Sequence, residues 1–522
     1  MNKNIRDILF CLICVGSAFR LVPILYYSKF LIIIGGGGGF GTKLMFAPLL
    51  LGILYTLYCY LIKKDRNALV FSKKIVLFGV LYLALTYISL AWGIMNFPFW
   101  DQVANDANDF GQIGKVQGIF YLFGINPTHE TLITIMLLLR TIKNSLFQFI
   151  WSFGGVYLIY CWYRNDHKRL LNLVTIAISI LVFIEIFNSF FEWLYLAGND
   201  WGKYILEKMT PYFHPVNLPD KPVSSRLLWR GQLRGTFTEP SYFGMFCAFS
   251  LPFLWYNFVS QKDVRISVFY GVLSLIMAFN IFLTSSRAAV GLYLGELLLL
   301  VGLGILIHTK KILVMIGFVI AINCMGLGMG SIFMNHIMAP DMQQIAAFGM
   351  NDSGYMERNL ESLSDINKRS NRSRYTIVMA HIRIGLNHPI LGVGYGLRNP
   401  YVGKYLEGQT LNPELKRWQD VYKREGILIG SFPNLGDYWV HFAERGILGL
   451  IAYLTIPIIL LIKLAKAVFH KKSLSYGIVM ISLIGCLGIG LDDSITVLYV
   501  YWLIMGIGYA LTANLNKHGI SH

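Results

Sequence analysis

Charged residues are scarce here: Asp, Glu, Lys and Arg make up 14% of 522 residues, and 28 acids face 45 bases. A soluble chain of this length would divide into several domains with charged surfaces, so that class is excluded. Short strands of alternating polarity are missing, which excludes a membrane β-barrel. The cysteines Cys11, Cys14, Cys59, Cys161, Cys247, Cys324 and Cys486 all fall inside apolar runs. No loop holds a pair of them, so neither a disulfide framework nor a CxxC metal site is indicated. His, Asp and Glu show no HExxH-type spacing; no metal and no cofactor is assigned. The first apolar run follows Lys3 and Arg6 without a small-residue cleavage site, so it reads as a retained span. No internal repeat is visible, which weighs against a transporter built of symmetric halves.

What the chain does have is apolar length, with 55% of its residues hydrophobic and 15% aromatic. Runs near the ~20 residues needed to cross a bilayer recur throughout. They fall at 8–27, 44–62, 74–96, 145–163, 170–192, 236–259, 266–284, 288–307, 312–334, 443–462, 475–491 and 495–513. The fold class is therefore all-α, a polytopic membrane protein with about 12 transmembrane helices and one large extracytoplasmic loop domain.

Nucleic-acid binding could account for a net charge of +17, but topology accounts for it first. Alternate connections are basic: "KKDR" at 63–66, "YRNDHKR" at 163–169, "QKDVR" at 261–265, "HTKK" at 308–311 and "KLAKAVFHKK" at 463–472. Both termini are basic as well. Basic loops on every second connection put these and both termini in the cytoplasm, with 97–144, 193–235 and 335–442 outside. The chain divides into 1–235, the N-terminal spans and outer loops; 236–334, the central spans; 335–442, the large outer loop; and 443–522, the C-terminal spans. Within the large loop, "SNRSRYTIVMAHIRIGLNHP" predicts an amphipathic helix ended by Asn387 and Pro389. The "GGGGG" run at 35–39 lacks a phosphate-loop lysine and carries no chemistry.

Ionisable residues at a membrane face are costly and suspect. Arg234 and Glu239 enter the sixth span in "QLRGTFTEPSYFG", and Arg287 sits in "TSSR" between the seventh and eighth. The outer loop supplies Lys368, Arg369, Arg372, Arg374 and Arg383, and Asn434, Asp437, His441 and Glu444 lead into the tenth span. Each has a plain alternative. Arg287 can snorkel to the interface, and the 368–374 cluster can be a solvated or headgroup-facing surface. Glu239 can cap the helix that Pro240 opens. Arg226, Arg230 and Arg234 are spaced by four, but Gly231 and Gly235 make a shared helix face doubtful. His381 and His388 read as structural, while His441 stands even between structure and catalysis. Arginines gathered on one face suit a polyanion, because each offers a fixed fork of donors that stays charged.

Four segments occur in order: "RGTFTEPSYFG", "LTSSRAAVGL", "HPILGVGYG" (388–396) and "PNLGDYWVHFAERGILGL" (433–450). In this the chain resembles the O-antigen ligase/O-antigen polymerase superfamily, across roughly Arg234 to Tyr453. The resemblance implies a membrane glycosyltransferase, specifically a bacterial cell-surface polysaccharide polymerase. Arg234 and Arg287 match the family's functional arginines. The pattern of Arg, ten residues, Gly is met by Arg374 with Gly385 and by Arg383 with Gly394. One departure concerns the base: relatives carry His-Asn where this chain has Pro433-Asn434, which leaves His441 or Glu239 to take that role.

The implied reaction occurs on the outer face of the bacterial cytoplasmic membrane. An acceptor hydroxyl attacks the anomeric carbon of a glycan on polyprenyl diphosphate, and the diphosphate leaves. Arg234, Arg287, Arg374 and Arg383 would hold the diphosphate, and His441 or Glu239 would take the proton. Implied partners are polyprenyl-diphosphate-linked glycans and membrane lipid, with a flippase and a chain-length regulator as possible partners and no nucleic acid. Two other functions stay open. One is a ligase that transfers finished glycan to lipid A core or protein; the other is a transporter of a lipid-linked or anionic solute.

Overall fold

The computed structural model describes residues 1–19, 22–26, 41, 43–70, 73–104, 106–214, 227–228, 231–342, 369–427, 430–496, 498–513 and 515. The glycine run at 35–39, Arg226, Arg230 and Lys368 lie outside the described residues. Regular structure among the described residues is helical throughout, as an all-α polytopic membrane protein requires.

Among the described residues, eight helices are long and apolar enough to cross a membrane: Lys73–Met95, His129–Tyr163, His167–Leu196, Pro240–Ser260, Val264–Leu283, Arg287–Ile307, Lys310–Ile337 and Asp437–Lys471. The shorter apolar helices Phe46–Leu61, Leu474–Ile489 and Val500–Thr512, with Lys3–Gly16, fall on the remaining expected spans. Boundaries differ in places: Lys3–Gly16 ends well inside the expected 8–27 span, part of which lies outside the described residues. His129–Phe149 begins far ahead of the expected 145–163 span and continues through a π-helical turn, Ile150–Gly154, into Gly155–Tyr163. Thr128 starts this helix, its hydroxyl accepting the Thr131 N–H at 3.3 Å. At the π turn the Trp151 carbonyl accepts the Tyr499 hydroxyl at 2.7 Å.

Lipid is as apolar as leucine, so close packing rather than water exclusion must hold these helices together. Lys73–Met95 exposes Val76, Leu77, Val80, Leu81 and Ile88, an apolar face suited to lipid. Pro240–Ser260 is the opposite case. Its Phe243, Phe246, Leu251, Phe253 and Trp255 are buried against Val264–Leu283, Arg287–Ile307 and Leu474–Ile489. Small residues let neighbours approach: a Cβ on Gly326 would meet the Leu275 carbonyl oxygen at 2.5 Å.

Charges collect at one end of the bundle. The Met1 ammonium lies 2.6 Å from Asp65, and Arg6 lies 2.9 Å from Asp7 and 3.9 Å from Asp166. Asp7 also pairs with Arg169. The amino terminus and the connections 63–66 and 163–169 therefore share that end.

Among its described residues the large loop contributes three helices: Arg369–Asn387, Arg398–Leu406 and Pro413–Glu425. The first is the expected amphipathic helix. It buries Ile377, Ala380 and Ile384 against Val402, Leu406, Leu415 and Tyr422, at the three- and four-residue spacing of one helix face.

This unit is fastened to the bundle at a broken helix. Asp437–Lys471 is interrupted at Gly446, whose φ of 65° is left-handed. The backbone groups freed there find partners in "HPILGVGYG". Val393 N–H donates to the Ala443 carbonyl at 2.9 Å, Gly394 N–H to Glu444 at 3.0 Å, and Ile447 N–H to Pro389 at 2.8 Å. A Cβ on Gly446 would stand 2.2 Å from the Ile390 carbonyl oxygen, so the approach requires glycine. Two of the four sequence segments thus meet as one backbone joint.

Candidate active site

The "RGT" turn ahead of Pro240–Ser260 is held by two carboxylates from His167–Leu196. Glu192 Oε2 accepts the backbone N–H of Gly235 at 2.9 Å and of Arg234 at 3.3 Å. Glu185 Oε2 accepts the Thr236 N–H at 3.0 Å, and its other oxygen accepts the Thr236 hydroxyl. Successive amides turned toward an anion are an ordinary phosphate cradle; here the anion is the protein's own. Arg234 itself is only 1% exposed, and its Nη1 lies 3.4 Å from the Thr238 carbonyl. Burial pushes its pKa down and the Glu192 charge opposes that.

The turn brings Glu239 and Arg287 into one neighbourhood. Leu233 N–H donates to the Leu283 carbonyl at 3.1 Å. Gly244 is so close to the next helix that a Cβ there would meet the Ala289 Cβ at 2.1 Å. The first turns of Pro240–Ser260 and Arg287–Ile307 therefore lie side by side, and helix starts favour negative charge. Glu239 occupies the N-cap position, yet its side chain makes no capping hydrogen bond. Capping, the plain reading of this residue, is not realised.

Arg374, from the large loop, joins this group. Its guanidinium lies 2.9 Å from Asp493 and 3.5 Å from Asp492. Burial acts against its charge, but Asp493, Asp492 and, more weakly, Glu239 outweigh it and hold its pKa above the ordinary value. The acidic connection continues to Asp437, whose carboxylate accepts the Ser494 hydroxyl at 3.0 Å and the Ile495 N–H at 2.7 Å.

Beyond Asp437 lies a polar cavity of about 370 Å³. His441, Glu444 and Arg445 line it from the Asp437–Lys471 helix, Tyr395 from the loop at the helix break, and Arg140, Asn144 and Gln148 from His129–Phe149. Arg445 Nη1 donates to His441 Nδ1. Arginine has no acceptor, so Nδ1 carries the ring's lone pair and Nε2 its proton. His441 also stacks on Tyr453, with centroids 3.8 Å apart. The Arg445 guanidinium sits over Tyr395 at 4.3 Å.

Behind the cavity, Arg398 is buried 3.3 Å from Glu444 and donates to His381 Nε2 at 2.7 Å. His381 Nδ1–H then donates to the Leu435 carbonyl at 3.2 Å. Burial, and secondly the Arg398 charge, hold the His381 pKa well below 6.5. His381 is thus a neutral support for Arg398. His388 packs edge-on to Tyr401, with centroids 5.7 Å apart.

The residues singled out from sequence therefore separate. Arg234, Glu239, Arg287 and Arg374 gather around the two helix starts, His441 faces the cavity, and the 492–496 connection runs between. Arg383 belongs to neither group: it is exposed on the outer helix, over the Tyr405 ring at 5.3 Å. Sequence reading missed Glu185, Glu192, Arg140, Asn144, Gln148 and Tyr395. A signal existed for most of them. Glu185 and Glu192 are seven apart in an otherwise apolar span, and Arg140, Asn144 and Gln148 recur every four residues.

No curated protein matches the chain. A family model described as O-antigen ligase matches residues 272–454. The match begins after Arg234 and Glu239 and takes in Arg287, Arg374, Arg383, His441 and the joint at Gly446. This match supports a membrane glycosyltransferase-like enzyme. Residues 272–454, which carry three of the four ordered segments, are thus similar to the O-antigen ligase family, and this supports the resemblance to the O-antigen ligase/polymerase superfamily of membrane glycan-processing proteins.

Proposed function

We propose that this protein joins polyprenyl-diphosphate-linked oligosaccharide repeat units into a surface polysaccharide. The reaction runs on the outer face of the bacterial cytoplasmic membrane, with both termini in the cytoplasm. One observation carries the reading: Glu239, an N-cap carboxylate that does not cap, stands with Arg374 beside the adjoining helix starts that bear Arg287. An acceptor hydroxyl attacks the anomeric carbon of the donor glycan, a new C–O bond forms, and the bond to diphosphate breaks. Arg287, Arg374 and the helix starts stabilise the charge that develops on the diphosphate. Arg234, buried behind them on Glu192, fixes the turn that carries Glu239.

Glu239 takes the acceptor proton, a role typically contributing about 10²–10⁴-fold. His441 is the weaker base in this geometry, because its lone pair already accepts from Arg445. It donates from Nε2 to the bound glycan instead. Arg383 lies outside this scheme.

Deleting the gene and resolving surface glycan on a gel tests the reaction. Single repeat units left on the cell surface support a polymerase. Loss of all attached glycan, with long lipid-linked chains accumulating, would instead make the protein a ligase.

A further inference from the structure

The polar cavity contains an imbalance that the proposed reaction does not use. Arg445 is only 3% exposed, and its Nε–H has no acceptor among the described residues. Beside it stand His441, accepting at Nδ1, the faces of Tyr395 at 4.3 Å and Tyr82 at 5.5 Å, and the Glu444 carboxylate, which Arg445 shares with Arg398. The two carboxylates facing this space are both engaged. Glu444 pairs with Arg398 at 3.3 Å, and Asp437 accepts from Ser494 at 3.0 Å and Ile495 at 2.7 Å. At the mouth stands Arg140, exposed and without an ion pair among the described residues. Two guanidiniums, those of Arg140 and Arg445, thus line the cavity, while both of its carboxylates already have partners. A buried guanidinium with an unfilled donor is costly unless a ligand completes it.

We infer that this cavity binds an acidic sugar of the glycan, with a carboxylate on the Arg445 fork and the ring hydroxyls toward Asn144 and Gln148. The site is separate from the diphosphate cluster at Arg287 and Arg374. Carboxylate is the matching chemistry because the guanidinium offers parallel N–H donors at its spacing. The amides of Asn144 and Gln148 in the lining give the hydroxyls of a pyranose hydrogen-bonding partners. The inference rests on the glycan-joining reading for its substrate class, and it adds that the repeat unit carries a uronic-acid-type residue.

Purified full-length protein in detergent is titrated with glucuronate, glucose and inorganic pyrophosphate, with bound ligand followed by saturation-transfer NMR for the sugars and calorimetry for pyrophosphate. Saturable glucuronate binding is expected, with glucose at least about tenfold weaker. Arg445→Gln should lose at least about tenfold in glucuronate affinity, and Arg445→Lys should recover part of it. Arg140→Gln, a change at an exposed position that folding should tolerate, should weaken glucuronate severalfold. Arg287→Ala should leave glucuronate binding unchanged while weakening pyrophosphate. Equal binding of glucose and glucuronate, or no saturable glucuronate binding, overturns the inference. Pyrophosphate that competes with glucuronate through Arg445 also overturns it, since the anion would then be the diphosphate. A protein that binds glucuronate through Arg445 but neither extends nor transfers lipid-linked glycan would refute the polymerase reading and leave the cavity assignment standing.

Discussion

Glu192 and Gly235 meet through a single hydrogen bond, the Gly235 N–H donating to Glu192 Oε2 at 2.9 Å. A carboxylate within a membrane span thereby fixes the turn from which Glu239 projects, and Glu185 does the same at Thr236. Glu192→Ala and Glu185→Ala each leave buried backbone donors without acceptors, a loss of about 1–3 kcal/mol. Thermal unfolding in detergent should show a lowered midpoint for both, together with reduced glycan extension. A normal midpoint with normal extension would mean that the turn holds itself.

The joint at Gly446 should be less tolerant still. Gly446→Ala places a Cβ in left-handed backbone, 2.2 Å from the Ile390 carbonyl oxygen. Gly392→Ala does the same at φ 68°, 2.3 Å from the Glu444 carbonyl carbon. Each change should cost more than about 1 kcal/mol of backbone strain and separate the outer helices from the bundle. Limited proteolysis of 398–425 should become faster in both variants. Wild-type cleavage rates would show that the loop and the broken helix are not coupled as the hydrogen bonds imply.

Much of this architecture is legible in the residues, and the reasons for the remainder are specific. Most expected spans overlap a helix, because apolar length is a direct requirement of the bilayer. The break at Gly446 was not visible, since "ERGILGL" continues an unbroken helical apolar pattern and its partner strand of chain lies some fifty residues earlier. The early start of His129–Phe149 was hidden by Arg140 and Lys143, whose charges read as loop. Arg374 stood out as a cation in sequence. Its partners Asp492 and Asp493 are far along the chain, so only the fold joins them.

Acid should destabilise the outer helices through His381. Its folded pKa is held well below 6.5 by burial and by Arg398, whereas the unfolded ring protonates near that value. As pH falls below about 6.5 the unfolded state binds a proton that the folded state does not, so stability drops by up to about 1.4 kcal/mol per pH unit. Above that pH the contribution is constant. His214, also buried with a depressed pKa, acts in the same direction. Denaturant midpoints between about pH 7.5 and about pH 5.5 should fall less steeply in His381→Asn than in wild type. An unchanged slope would remove His381 from the balance.

The proposed diphosphate site makes a separate demand on its arginines. Arg287→Ala and Arg374→Ala should abolish chain extension while the protein inserts and accumulates. Arg287→Lys should serve poorly, because a point charge loses the bidentate geometry. Normal glycan length in Arg287→Lys would return that residue to interface snorkelling.

The most direct test is the rate of chain extension by purified protein on lipid-linked repeat units, with EDTA present throughout. Wild type should extend the chains despite the chelator. Glu239→Gln should be slower by at least about a hundredfold with substrate still bound, and His441→Ala should keep a substantial part of the rate. A near-normal Glu239→Gln beside a dead His441→Ala would contradict the assignment and move the base to His441.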